Sequence, residues 1–200
     1  MKTLRWNIID DWRGFGSGKR NEQFLGFMEF LMSVEENLYE RGIHGGLKGL
    51  EIGSYMGEST KMIASTGLFN NLVVVEPHVG KEEFNEITGH DWALVEEEFK
   101  QNTKYFNFID HRKDFSYNVV PNLPDNYFDF IYIDGEHGYE AVKKDLAMCL
   151  PKLKNGGMIA GHDYSYKWKG VWQACDDIFD KQPDRVFLDS SWIFFNVNRA

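Results

Sequence analysis

Apolar and polar positions along the chain change period several times, and each change marks an element. Phe24, Phe27, Met28, Leu31, Val34 and Leu38 recur at the spacing of one buried helix face, and Gly42, Gly45 and Gly46 close that stretch. Beyond it the periods alternate. Gly49–Gly53 reads as a short strand running into a turn, and Ser59–Ala64 begins a helix. Leu72–Pro77 reads as a second strand, β-branched and stopped by proline. Trp92, Val95 and Phe99 mark a crossover helix, with Glu96, Glu97 and Glu98 mostly on its wet side. Phe106–Asp110, Phe128–Ile133 and Met158–Ala160 predict three more strands, with a helix carrying Val142, Leu146 and Cys149 before the last. A helix over Val171–Phe179 and strands over Arg185–Leu188 and Trp192–Val197 complete the chain, Trp192, Phe194 and Phe195 being expected in the core.

Strand and helix in alternation argue for a parallel sheet with helices on both faces. The expected fold is a doubly wound α/β domain with a mostly parallel seven-stranded sheet, closed at the C-terminus by an antiparallel edge. With 200 residues the chain suits one domain. Its expected layout is an N-terminal flap and helix over 1–46, a ligand-binding core over 47–165, and a C-terminal helix with edge strands over 166–200.

Charge narrows the partners. The formal net charge of −9 repels phosphate backbones and anionic lipid, so neither nucleic acid nor membrane is expected as partner. Two cysteines, Cys149 and Cys175, stand in unrelated contexts without metal-ligand spacing, which fits a reducing compartment. Residues 1–19 carry no apolar core of signal-peptide length, and a cytoplasmic location is expected.

In open α/β sheets the ligand lies beyond the carboxyl ends of the strands. There the chain places Glu51 with Gly53, then Glu76, then Asp134-Gly135-Glu136-His137, then Gly161-His162-Asp163-Tyr164. Acids delivered to one sheet edge by four strands point to a nucleoside site. A carboxylate at Glu76 could accept both hydroxyls of a ribose, and it lies 19 residues past Gly57, near the spacing of about 20 seen in dinucleotide folds. The glycines do not follow the dinucleotide pattern: Tyr55 stands where G-x-G would need its second glycine.

Three segments carry a resemblance. Glu51–Thr60 resembles the first motif of class I S-adenosylmethionine-dependent methyltransferases. Phe128–Val142 and Leu153–Tyr164 resemble the fourth- and fifth-strand segments of a branch that includes macrocin-type sugar O-methyltransferases and cephalosporin-hydroxylase-like proteins. The resemblance implies S-adenosylmethionine as cofactor, held by Glu51, Gly53, Ser54, Tyr55, Gly57, Ser59 and Glu76, with Asp134 beside it. It implies Asp114 and Phe115 as the adenine contact, with Asp110 a competing acid, and sets Asp134, His137 and Asp163 as catalytic residues facing the methyl group and acceptor. A nicotinamide-dependent oxidoreductase and a non-catalytic module on the same fold are the alternatives.

A sugar-like hydroxyl needs a base or a metal to become a nucleophile. Relatives that use magnesium place acids where Asp134 and Asp163 stand, but here the neighbours of the second are His162 and Tyr164. Mg2+ on Asp134 and Asp163 is therefore one reading, and a metal-free site with His137 or His162 as base is the other. His44, His78, His90 and His111 are expected in solvated loops. Gly14–Arg20 departs from the P-loop pattern at both ends and reads as a flap. Tyr164, Tyr166, Trp168 and Trp172 are candidates for an acceptor wall, consistent with a small-molecule acceptor. A homo-oligomer is left open.

Overall fold

The computed structural model describes residues 18–79 and 91–198. Seven strands form one sheet in the order β3-β2-β1-β4-β5-β7-β6. They are β1 (Leu47–Ile52), β2 (Phe69–Val75), β3 (Ile109–Arg112), β4 (Phe128–Ile133), β5 (Leu153–Gly161), β6 (Arg185–Val186) and β7 (Trp192–Val197). The first five are parallel, β7 runs antiparallel to β5, and β6 pairs antiparallel with β7. The expected architecture and its antiparallel edge are both present.

The alternation of β4 shows how the two faces are filled. Phe130 and Tyr132 point to one face and Ile131 and Ile133 to the other, all buried. The first face is covered by α1 (Gly18–Glu40), α2 (Glu58–Ser65) and α3 (Trp92–Thr103). On α1, Phe27 and Phe30 meet Tyr132 with ring centroids 5.6 Å away in both cases. The second face is covered by α5 (Tyr139–Cys149) and α6 (Lys169–Phe179), whose Val142, Leu146, Cys149, Val171, Ala174 and Cys175 are buried. Trp192 and Phe194 lie in the core because β7 is an inner strand, and Phe195 packs against it partly buried. Between β3 and β4 a short helix, α4 (Ser116–Val119), has no counterpart in the apolar pattern.

The third strand begins three residues later than the sequence predicts. Phe106, Asn107 and Phe108 form a turn before it. The two phenylalanine rings meet edge-on at 5.9 Å and pack against the core, so their period of two comes from a turn tucked under the sheet.

Register sets the site. Ile52 is level with Val75 on one side and Ile133 on the other, and Ile133 is level with Gly161. The next residues, Glu76, Gly53, Asp134 and His162, therefore stand in one row along the carboxyl edge. β1 lies between β2 and β4, so chain connections leave it to opposite sides and open a crevice above this row. Because β7 runs the other way, its beginning is at the same edge: Gly161 pairs with Trp192, which brings the preceding loop beside His162.

Candidate active site

A cavity of about 840 Å3 fills the crevice, within the range of about 300–1,000 Å3 typical of small-molecule sites. Gly53, Ser54 and Tyr55 form its floor, Glu76 and Pro77 one side, Asp134 to His137 the other, and His162 and Asp163 its far end. Gly53 has φ +80°, and a β-carbon there would lie 2.2 Å from the carbonyl oxygen of Asp134. Only glycine lets the β1 turn lie this close to β4.

Glu76 is buried and spends its carboxylate on that turn. Its Oε2 accepts the N–H groups of Ser54 at 3.0 Å and Tyr55 at 2.9 Å, and Oε1 accepts the N–H of His78 at 2.9 Å. Glu51 is fully buried behind the turn, off the cavity wall, and accepts the hydroxyls of Ser59 and Thr60 at 2.6 Å each. Burial pushes its pKa up to about 8 against those two hydrogen bonds, with Asp134 and Glu76 adding repulsion. Gly57 and Ser59 also lie off the cavity wall; Gly57 caps α2 at φ 79°.

Two of the histidines expected in solvent are structural. His78 is buried, with Nε2 3.0 Å from the carbonyl oxygen of Tyr55. His111 places Nε2 3.1 Å from the carbonyl oxygen of Glu76, and the two rings lie 5.1 Å apart beneath the turn. Carbonyl oxygens only accept, so each Nε2 carries the proton. His44 is exposed as expected, and His90 lies outside the described residues, as do Gly14–Ser17 of the proposed flap.

At the far end, charged groups alternate. His137 Nε2 stands 2.8 Å from Asp163 Oδ2 and 3.7 Å from Asp134 Oδ1. His162 Nδ1 stands 3.4 Å from Asp163 Oδ1, and its Nε2 is 3.6 Å from Asp189 Oδ2. Burial alone would discharge His137, but the carboxylates of Asp163 and Asp134 outweigh it and push its pKa up to about 9. The same contest at His162, burial against Asp163 and Asp189, ends at about 10. For Asp163 burial works upward, yet the two imidazoles hold it well below the usual carboxylate range. Asp189, which the sequence pattern does not single out, is buried in the β6–β7 loop and also accepts the Ser191 backbone N–H at 3.1 Å and hydroxyl at 2.7 Å.

One set of donors is close enough to hold an ion among the described residues: Asp134, His162 and Asp163, with ligand atoms within 4.8 Å of one another. It does not fit magnesium. That ion takes oxygen ligands in near-octahedral geometry, whereas here the third donor is an imidazole and both oxygens of Asp163 face histidine nitrogens.

The adenine expectation divides. Phe115 lines the cavity, but Asp114 is exposed and off its wall, its Oδ1 accepting the Phe115 N–H at 2.7 Å and the Asn118 amide at 2.9 Å. Asp110 pairs with Arg112 on the exposed edge strand. None of Tyr164, Tyr166, Trp168 and Trp172 lines the cavity. Trp168 instead packs against His137, ring centroids 4.6 Å apart and planes tilted by 32°, and Tyr164 donates its hydroxyl to Asp176 at 3.1 Å.

A methyltransferase-domain family matches residues 50–164, and the chain belongs to that family. Its fold is that of class I S-adenosylmethionine-dependent methyltransferases. Among solved structures, the N-methyltransferase NodS from Bradyrhizobium japonicum, in complex with S-adenosyl-L-homocysteine, superposes with a TM-score of 0.57 at 16% identity, over 94% of this chain and 92% of that one. The O-methyltransferase NovP gives 0.56 at 16% identity, over 90% and 79%. An uncharacterised protein of Acanthamoeba polyphaga mimivirus is 30% identical over 145 residues, which cover 68% of this chain and 60% of that relative. Among the described residues no helix is long and apolar enough to cross a membrane.

Proposed function

We propose that the chain transfers a methyl group from S-adenosylmethionine to a hydroxyl oxygen of a small polar molecule such as a sugar or a secondary metabolite. The carrying observation is the cavity itself, which joins the Gly53 turn to the ionic cluster of Asp134, His137 and Asp163. S-Adenosylmethionine supplies a sulfonium carbon: its S–CH3 bond breaks as an O–CH3 bond forms, and a neutral thioether leaves. The chain's part is to hold the two partners in line and to take the hydroxyl proton. His137 takes that proton in its neutral form, and Asp163 stabilises the imidazolium that results. With its pKa at about 9, His137 rests protonated at neutral pH, and the neutral imidazole that can take a proton becomes available only as pH rises.

Isothermal titration with S-adenosylhomocysteine and with NAD tests the first half of this reading. Binding of the S-adenosyl compound alone is expected, and binding of NAD alone overturns it. Transfer of a labelled methyl group to a panel of hydroxylated acceptors tests the second half. Cofactor binding without turnover on such a panel favours the non-catalytic module.

A further inference from the structure

Beneath the Gly53 turn two imidazole rings share one space. His78 follows Glu76 and Pro77 past the end of β2, and His111 stands on β3 level with Val74. Their ring centroids lie 5.1 Å apart with planes at 78°. The Phe99 ring of α3 closes the space, 5.1 Å from His78 and 4.5 Å from His111. Each Nε2–H is already committed to a carbonyl of the site, His78 to Tyr55 and His111 to Glu76. The Glu76 carboxylate in turn holds the N–H groups of Ser54, Tyr55 and His78. The cavity floor and the Glu76 side are thus tied together through these two rings.

A neutral imidazole has one N–H to give. With Nε2 donating, His78 Nδ1 is a bare lone pair, buried and without a hydrogen-bond partner among the described residues. A proton taken up there creates a donor with no acceptor, and a cation out of water against the ring of His111. The charged groups that face His78 do not remove this cost. Glu76 already accepts three backbone N–H groups, and Glu96 on α3 is paired with Lys100 and Lys113. Burial therefore pushes the His78 pKa down, against the pull of Glu76, the Tyr55 carbonyl and Glu96, and His111 pushes it the same way as burial. His78 also has φ 50°, left-handed for a residue with a β-carbon, so its backbone is held by these bonds against its own preference.

We infer that His78 and His111 are positioning residues for the cofactor: neutral, they hold the Ser54–Tyr55 floor and Glu76 in the binding form, and protonation in mild acid releases the turn. This assignment rests on the S-adenosylmethionine reading above. A bound ligand keeps the turn closed over neutral rings, whereas an open turn gives the rings back to water, so ligand and proton oppose each other. Affinity then falls as pH drops below the ordinary histidine value of about 6.5, by up to about tenfold per pH unit for each ring. The histidines of the cavity wall take no part in this range, since His137 and His162 keep their protons up to about 9 and about 10.

The test is titration of the full chain with S-adenosylhomocysteine at pH 7.5, 6.5 and 5.5. Wild type is expected to lose at least about fivefold in affinity between the first and the last. His78→Gln and His111→Gln each keep an N–H near the Nε2 position but do not titrate. Each is expected to bind within a few fold of wild type at pH 7.5 and to show a shallower fall, the double variant varying by less than about twofold. A merely structural role would lower affinity alike at every pH. Should a variant fail to fold, wild-type titration at pH 6 in buffers of different ionisation enthalpy counts the protons directly, and their release on binding is expected. A wild-type affinity constant within about twofold, no proton released, or the full wild-type slope kept by the folded double variant overturns the assignment alone. Failure of wild type to bind at pH 7.5 overturns the underlying function, and this assignment with it.

Discussion

Gly53 and Asp134 are the first residues past the ends of the adjacent parallel strands β1 and β4, and their backbones meet so closely that a methyl group cannot stand between them. A β-carbon at Gly53 would fall 2.2 Å from the Asp134 carbonyl oxygen and 2.8 Å from the Gly135 nitrogen. Both contacts are to backbone, so neither can swing away. Gly53→Ala combines a left-handed φ with this overlap and is expected to cost at least about 2 kcal/mol in stability. It should also weaken S-adenosylhomocysteine binding more than tenfold, because the Ser54–Tyr55 floor shifts with it. Thermal melts with and without the ligand check both.

Glu76 separates a ligand role from a loop-holding role. In Glu76→Gln the amide nitrogen must face an N–H donor, whichever way it is turned, since Oε2 now takes two backbone N–H groups and Oε1 a third. One orphaned buried donor costs about 1–3 kcal/mol. The ligand-free protein should therefore melt several degrees lower. If Glu76 only bound a ribose, the ligand-free melting point would stay in place and only the ligand-induced rise would shrink.

The pH profile of turnover follows from His137. Its pKa stands at about 9, so the neutral form that accepts a proton grows tenfold per pH unit up to that value. On the proposed reading kcat/KM rises from pH 6 to about 9 and then levels, since this ratio reports the free enzyme. His137→Gln should lose about 10²–10⁴ in rate and flatten the rise. A wild-type profile already flat across this range would remove His137 from the base role.

How much of this was legible in the sequence depends on whether a residue's role is local. The bounds of β4 are legible residue for residue, because FDFIYI is apolar but for Asp129 and is followed by Asp134-Gly135. The strand-end row of Glu76, Gly53, Asp134 and His162 was legible for the same reason: strand ends fix it. Partners that fold in from elsewhere were not. Glu76 reads as a ribose ligand, and nothing in the sequence announces the three backbone N–H groups it also holds. Asp189 carries no motif and reaches His162 only because β7 reverses direction. Asp145 stands on the same helix stripe as Val142, Leu146 and Cys149, and its partner Ser116 comes from the short α4, which the apolar pattern does not announce. His78 and His111, polar residues next to loops, lie under the turn because the carbonyls of Tyr55 and Glu76 need donors there.

The donor set at the ionic end predicts the response to chelation. Asp134, His162 and Asp163 mix nitrogen and oxygen, and the histidines bond to the same Asp163 oxygens that a magnesium ion would need. Turnover is expected to persist in EDTA and to show no gain on adding Mg2+. Loss of activity in EDTA with recovery on Mg2+ would overturn this, and recovery only on a metal that accepts imidazole would assign the set to that metal.

Glu51 ties the stability of the whole domain to pH. In the unfolded chain its carboxyl titrates near 4.3, whereas burial behind the Gly53 turn raises it to about 8 in the fold. The folded state thus holds a proton that the unfolded state releases. Its contribution is fully present below about pH 4.3, is lost as pH rises, and is gone above about 8, a change on the order of a few kcal/mol. Glu51→Gln keeps the shape, and its amide can still meet the Ser59 and Thr60 hydroxyls, which donate or accept. It titrates in neither state. At pH 5 the variant and wild type should melt close together, and by pH 8 the variant should melt higher by roughly 5 °C or more. Since Glu51 is neutral in the fold at pH 7 and lies off the cavity wall, the substitution should leave S-adenosylhomocysteine affinity there within a few fold. Paired melts at the two pH values decide the matter: a constant difference between the proteins would mean that Glu51 is ionised in the fold, and a large loss of affinity at pH 7 would mean that its charge acts on the ligand.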